Sequence, residues 1–169
     1  MNPETLGMVF ANHSDWVYSN KTKGECANLR GADLSHADLE GINLSFAYLE
    51  GVSLKGANLS FANLENANLR GANLEGANLQ GANLRGARLE GASLEDASLE
   101  DADLEGANLQ GASIVGADLY GANLRGTILE KKKEENHASI KAENNIRLEF
   151  EALAKKHGMK IESLTLSLI

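Results

Sequence analysis

The side chains able to do chemistry are few and scattered. His13-Ser14-Asp15 brings together the residue types of an acyl-transfer triad. A triad, however, is a spatial arrangement served by an oxyanion hole, and three consecutive residues do not supply that geometry. His13, His36, His137 and His157 are dispersed without the spacing that lets imidazoles share a metal ion. Cys26 is the single cysteine, which excludes an intramolecular disulfide and a cysteine-based zinc site. It reads as a small apolar residue rather than a reactive thiol. The glycines fit neither the dinucleotide nor the phosphate-loop pattern. The carboxylates are numerous only because a short unit recurs, and a filled repeat structure offers no cleft in which one could be desolvated and tuned. No catalytic, metal-binding or cofactor-binding residue is assigned, and the chain is read as non-enzymatic.

The elements that position these residues follow from composition and period. The formal net charge of the 169 residues is −8, which argues against direct binding to nucleic acid, where Lys and Arg must neutralise phosphates. No stretch approaches the ~18 apolar residues of a membrane span. Residues 1–18 lack the basic and apolar regions of a secretory signal, so the chain is expected to be soluble and cytoplasmic, without membrane contact.

From Leu29 to Leu129 every fifth residue is leucine, Ile114 excepted, giving 21 consecutive units. Two residues before each stands alanine in 18 of the 21, the departures being Ile42, Val52 and Thr127. The unit reads Ala-Asn/Asp-Leu-X-Gly, as in Ala72-Asn73-Leu74-Glu75-Gly76. A period of five fits neither the helical 3.6 nor the strand 2.0. On a helix these leucines would wander around the cylinder, and the glycines would oppose it by up to ~1 kcal/mol each against alanine. What fits is a short extended piece followed by a corner. Ala and Leu point inward, and glycine supplies the positive φ of a tight turn.

Thirteen of the units match Ala-(Asp/Asn)-Leu-X-X strictly, and this unbroken tandem pattern resembles the pentapeptide-repeat proteins. The resemblance implies an all-β solenoid, a right-handed quadrilateral β-helix with four units, or 20 residues, per coil. At ~4.8 Å between coils, about five coils make a rod of roughly 25 Å. The repeats span 27–131.

A rod has two open ends that need covering. Residues 1–26 are expected to cap the first end through the apolar clusters Met8-Val9-Phe10 and Trp16-Val17-Tyr18. Residues 132–169 form an appendage. Glu134 to His157 reads as an α-helix whose stripe, including Ala142, Ile146, Phe150 and Leu153, follows helical spacing, with Gly158 as its stop. Leu164, Leu166 and Leu168 then alternate with polar residues as in a strand. These apolar residues either cover the last coil or pair with a second copy in a homodimer.

With 20 residues per coil, outward side chains 20 apart stack in columns. Arg30, Glu50, Arg70, Glu90, Gln110, Glu130 and Ser45, Glu65, Arg85, Glu105, Arg125 nearly alternate in sign and read as ion-pair ladders. The remaining two faces are unbalanced. Asp33, Glu75, Glu95 and Asp96 against Lys55 give −3, and Asp38, Glu40, Glu100, Asp101 and Asp118 give −5. The net charge thus falls on one side of the rod. That side is either a solvated face that keeps a stacking solenoid soluble or a docking surface, with Glu95, Asp96, Glu100, Asp101 and Asp118 as its residues. Outward aromatics at Phe46, Tyr48 and Phe61 are further candidates, since aromatics anchor interfaces. Phe46 and Phe61 occupy corners where glycine is the norm. The three either pack beneath the N-terminal segment or meet across adjacent faces as a partner-binding patch.

The functional expectation is a protein-binding or scaffold module that engages another protein through a rigid, acidic outer surface. The resemblance adds a narrower alternative, since the family includes fluoroquinolone-resistance proteins that resemble duplex DNA and bind DNA gyrase. Here the charge is about one per 3 Å, roughly half the linear density of duplex DNA, and the repeats lack projecting loops. A third reading is a fragment of a larger multidomain protein.

Overall fold

The computed structural model describes residues 3–130. The expected C-terminal helix and strand, with Ile146, Phe150, Leu153, Leu164, Leu166 and Leu168, lie outside the described residues.

Within the repeats, the register is set by the backbone. Parallel bridges link each unit's second residue to its counterpart 20 positions on, from Asn28 with Tyr48 and Asp33 with Ser53 to Asp103 with Asn123. Five residues per side and 20 per coil make the solenoid four-sided. Each side contributes one bridge per coil instead of a continuous strand, because a corner follows the leucine at once. Two donors run forward and one acceptor runs back: Leu29 and Gly31 N–H donate to the Tyr48 and Glu50 carbonyls, while Tyr48 N–H donates to the Ala27 carbonyl.

The corners explain the rest of the unit. Ala32 N–H donates to the Leu29 carbonyl at 3.0 Å, closing a four-residue turn whose third residue, Gly31, has φ +62°. This is the pattern of a type II turn. The unit's second residue is Asn or Asp because its side-chain oxygen accepts the otherwise idle N–H two residues on. Asn83 Oδ1 thus accepts from Arg85 N–H at 3.1 Å, and Asp118 Oδ1 from Tyr120 N–H at 2.9 Å. This local hydrogen bond is the habit that places Asn and Asp in turns. Amide side chains also link coils, as where Asn58 Nδ2 donates to Asp38 Oδ1 at 3.0 Å.

Leucine and alanine fill the axis. From Leu44 to Leu104 every repeat leucine is wholly buried, each worth on the order of 2 kcal/mol in removed apolar surface. Ile114, Leu119, Leu124 and Leu129 are only partly buried, since among the described residues no coil follows them.

The N-terminal segment adds an element the sequence reading did not assign. Helix α1 spans Pro3–Tyr18. Proline suits a first helical position and an acid, Glu4, suits the first turn. Leu6, Val9 and Phe10 pack against the core, and His13 lies wholly buried on the same stripe. Left-handed backbone at Asn20 and Lys21, φ +58° and +67°, ends the helix. Gly24 then lies so close to α1 that a β-carbon there would sit 2.9 Å from Trp16 N.

Candidate functional site

Of the triad-like trio, His13 is held in the packing of the first coil. His13 Nδ1 accepts a hydrogen bond from Ala27 N–H at 3.1 Å, its ring stacks on Trp16 with centroids 5.8 Å apart, and burial lowers its pKa below the usual range. Cys26 donates its thiol to the Phe46 carbonyl at 3.3 Å. Burial raises its pKa against the opposing pull of Lys21 and Arg30. Among the described residues no cluster of His, Cys, Asp and Glu is arranged to hold a metal ion.

The aromatic candidates separate. The Phe46 ring meets the edge of Trp16 at 6.3 Å and carries the Lys21 ammonium 4.4 Å above it, so it is engaged by the N-terminal segment. Tyr48 lies beneath the Arg30 guanidinium at 4.2 Å. Phe61 remains 64% exposed, and among the described residues no ring contact joins it to either.

The ladder columns form in part. Arg30 pairs with Glu50 at 3.0 Å, and Arg85 reaches Glu105 at 2.6 Å and Asp103 at 3.2 Å. Burial pushes Asp103 up, but the Glu105 N–H, Arg85 and Asn123 outweigh it and hold its carboxyl below the usual range. Lys55 pairs with Glu75 at 3.0 Å, which removes Glu75 from the unbalanced charge.

The five acidic candidates lie on two neighbouring sides in successive coils. Asp118 bridges Ser98 in parallel, and the Asp96 and Asp101 N–H groups donate to the Val115 and Tyr120 carbonyls at 2.9 Å. Asp96 and Asp101 hold φ +54° and +55°, a left-handed conformation that Asp tolerates at modest cost. Glu95 accepts from Ser113 Oγ at 2.8 Å, and Glu100 accepts from Gln80 Nε2 at 3.1 Å. None of the five makes an ion pair with a described residue. Beside them stand Val115, 73% exposed, and Tyr120, 77% exposed. Val115 follows Glu95 in its column and Tyr120 follows Glu100, so two apolar groups adjoin four carboxylates. Val115 was not singled out by sequence reasoning, although its place in an otherwise polar column (Ser35, Lys55, Glu75, Glu95) was the available signal.

No helix among the described residues is long and apolar enough to cross a membrane.

Residues 27–60, 57–96 and 92–130 match the model of pentapeptide repeats, in eight copies. Rfr23, a pentapeptide repeat protein from the cyanobacterium Cyanothece 51142, is 29% identical over 69% of this chain and 92% of its own, with a TM-score of 0.53. HetL from the cyanobacterium Nostoc sp. strain PCC 7120, involved in heterocyst differentiation regulation, is 41% identical over 62% of this chain and 56% of its own, with a TM-score of 0.28. Full-length QnrB1, a plasmid-mediated fluoroquinolone resistance protein, is 25% identical over 59% of each chain, with a TM-score of 0.28. The chain spans little more than half the length of the last two. No curated protein matches it.

Proposed function

The chain belongs to the pentapeptide-repeat family, with the right-handed quadrilateral β-helix that this implies, and from that premise we propose that it is a non-enzymatic module that binds another protein through one side of its rod. On this reading residues 27–131 form about five coils at the usual strand spacing, residues 1–26 cap the first coil, and residues 132–169 cap the last or pair two copies. The observation that carries the reading is the cluster of Glu95, Asp96, Glu100, Asp101 and Asp118, unpaired with any described cation, around the exposed Val115 and Tyr120. Carboxylates draw in a basic partner and fix its orientation. Desolvated aromatic and aliphatic groups supply the energy of contact. The partner is therefore a protein whose contact surface carries Lys or Arg around an apolar patch.

Substitution of the five acids by their amides tests this. Asn retains both the turn hydrogen bond of Asp118 and the left-handed backbone of Asp96 and Asp101, so the variant keeps its fold while losing charge. Partner binding is expected to fall at least tenfold and the residual binding to lose its dependence on salt. Titrating wild type and variant into a gyrase supercoiling reaction addresses the narrower duplex-mimicking alternative: inhibition by the wild type alone identifies gyrase as the partner, and no inhibition by either excludes it.

A further inference from the structure

We propose that His13 is an acid-sensitive latch that holds α1 and the loop after it against the first coil, and that protonating its ring releases them. The place of His13 in the repeat is specific. Every later unit has its first N–H bonded to the carbonyl of the third residue of the unit before it, as Ala32 to Leu29 and Ala37 to Leu34. Ala27 opens the series and has no preceding unit, so the Nδ1 of His13 takes the place of that carbonyl at 3.1 Å. A nitrogen that accepts this bond carries no proton, which puts the ring's one proton on Nε2. That atom is buried and finds no acceptor.

A second proton goes to Nδ1, where it faces the Ala27 N–H. The one hydrogen bond of the ring becomes a contact between two donors, and a charge appears in a site with no exposed surface. The charged and titratable groups nearest it along the chain are Asp15 on α1 and Lys21, Lys23, Glu25 and Cys26 on the following loop. Lys21 lies over the Trp16 ring that stacks on it, and Arg30 on the first coil acts with Lys21 on Cys26. None of them hydrogen-bonds the ring, and burial is the one cause acting on its affinity for protons. The imidazolium is therefore uncompensated, which is costly in a buried site. Release of α1 withdraws Leu6, Val9 and Phe10 from the core and Trp16 from Phe46, uncovering an apolar coil end in acid that is closed at neutral pH.

The direction follows from linkage. With the folded-state affinity for protons lowered, the released state binds more of them. The latch is therefore fully engaged above the unperturbed value of ~6.5 and weakens by about tenfold for each pH unit below it, until the folded-state value is passed.

Trp16 is the single tryptophan and touches the His13 ring, so it reports the latch directly. Between pH 7.5 and 5, the wild-type emission maximum is expected to move to longer wavelength and acrylamide quenching to increase, with a midpoint below ~6.5. Simple quenching by a protonated but still buried ring would lower intensity without either change. In His13→Asn the amide oxygen supplies an acceptor near the Nδ1 position and cannot titrate, so both signals should stay flat. A flat wild type, or the same titration in His13→Asn, would overturn the proposal. If His13→Asn already exposes Trp16 at pH 7.5, amide exchange of the wild type decides. Protection of Ala27 should fall about tenfold per pH unit below ~6.5 while that of Ala67 holds, and an equal fall at both sites overturns the latch.

Discussion

The Phe61 ring lies against Gly81, one coil on, so closely that a β-carbon on that glycine would stand 2.7 Å from Cε1. Phe61 itself occupies a left-handed corner, φ +58°. The relationship recurs: His36 lies over Gly56, Asn66 over Gly86, Asp96 over Gly116 and Asp101 over Gly121. At these five corners the side chain occupies the space above the next corner in its column, and glycine there keeps it free. Phe46, which Trp16 and Lys21 engage, is followed by Asn66 instead.

This makes the cost of an alanine at a corner depend on the residue 20 positions earlier. Gly71 has open space around it, so Gly71→Ala should cost only the left-handed strain of ~1–2 kcal/mol. Gly81→Ala should cost measurably more by urea denaturation, and the excess should vanish in the Phe61→Gly background. Equal costs for the two alanines would show that the ring yields without strain.

Within the axis, Leu79 is wholly buried and surrounded by leucines and alanines that cannot all move to refill its space. Leu79→Ala should destabilise by ~2–5 kcal/mol. Leu124, only partly buried at the end of the described coils, should cost less on the same substitution, and thermal unfolding of the pair measures the difference.

Much of this was legible because the unit is five residues long and rigidly repeated. The leucine and alanine spacing dictates an inward face, and the 20-residue columns place Arg30 opposite Glu50 and Arg85 opposite Glu105. Helix α1 is equally written in Leu6, Val9, Phe10, His13 and Val17 with Pro3 and Glu4 at its start, but the aromatic clusters in the same stretch mask that period. The role of His13 was not legible. Its partner is a backbone N–H 14 residues away, and neighbours such as Ser14 and Asp15 suggest a different chemistry. Phe46 was legible in part: packing beneath the N-terminal segment was one of its two readings, but that Trp16 and Lys21 are the residues that reach it depends on how the chain folds back.

Acid should therefore act in two stages. The His13 latch weakens below ~6.5. The repeats hold until carboxylates such as Asp33 and Asp103, whose affinity for protons is lowered by hydrogen bonds, take up protons. Their stabilisation is complete above the unfolded value of ~3.9 and is lost as pH falls below it. Amide-exchange protection of repeat residues such as Ala67 should remain constant from pH 7 to about 4.5 while Trp16 emission changes and the helical signal of the freed α1 declines, and a single concerted transition would contradict this order.

Cys26 should react slowly. Its thiol is raised by burial and committed to the Phe46 carbonyl, so the thiolate that carries reactivity is scarce at neutral pH. Alkylation by iodoacetamide at pH 7.5 is expected to be slower than that of free cysteine, and to accelerate to the free rate in urea.

The central claim, that the acidic side around Val115 and Tyr120 binds a basic protein, is tested most directly by quantitative capture from host lysate on two immobilised variants and the wild type. One variant carries E95Q, D96N, E100Q, D101N and D118N; the control carries E65Q and E90Q on the other two sides. The account predicts proteins retained by wild type and control, released by salt, and absent from the five-site variant. Retention of the same proteins by all three, or of none by the wild type, would contradict it.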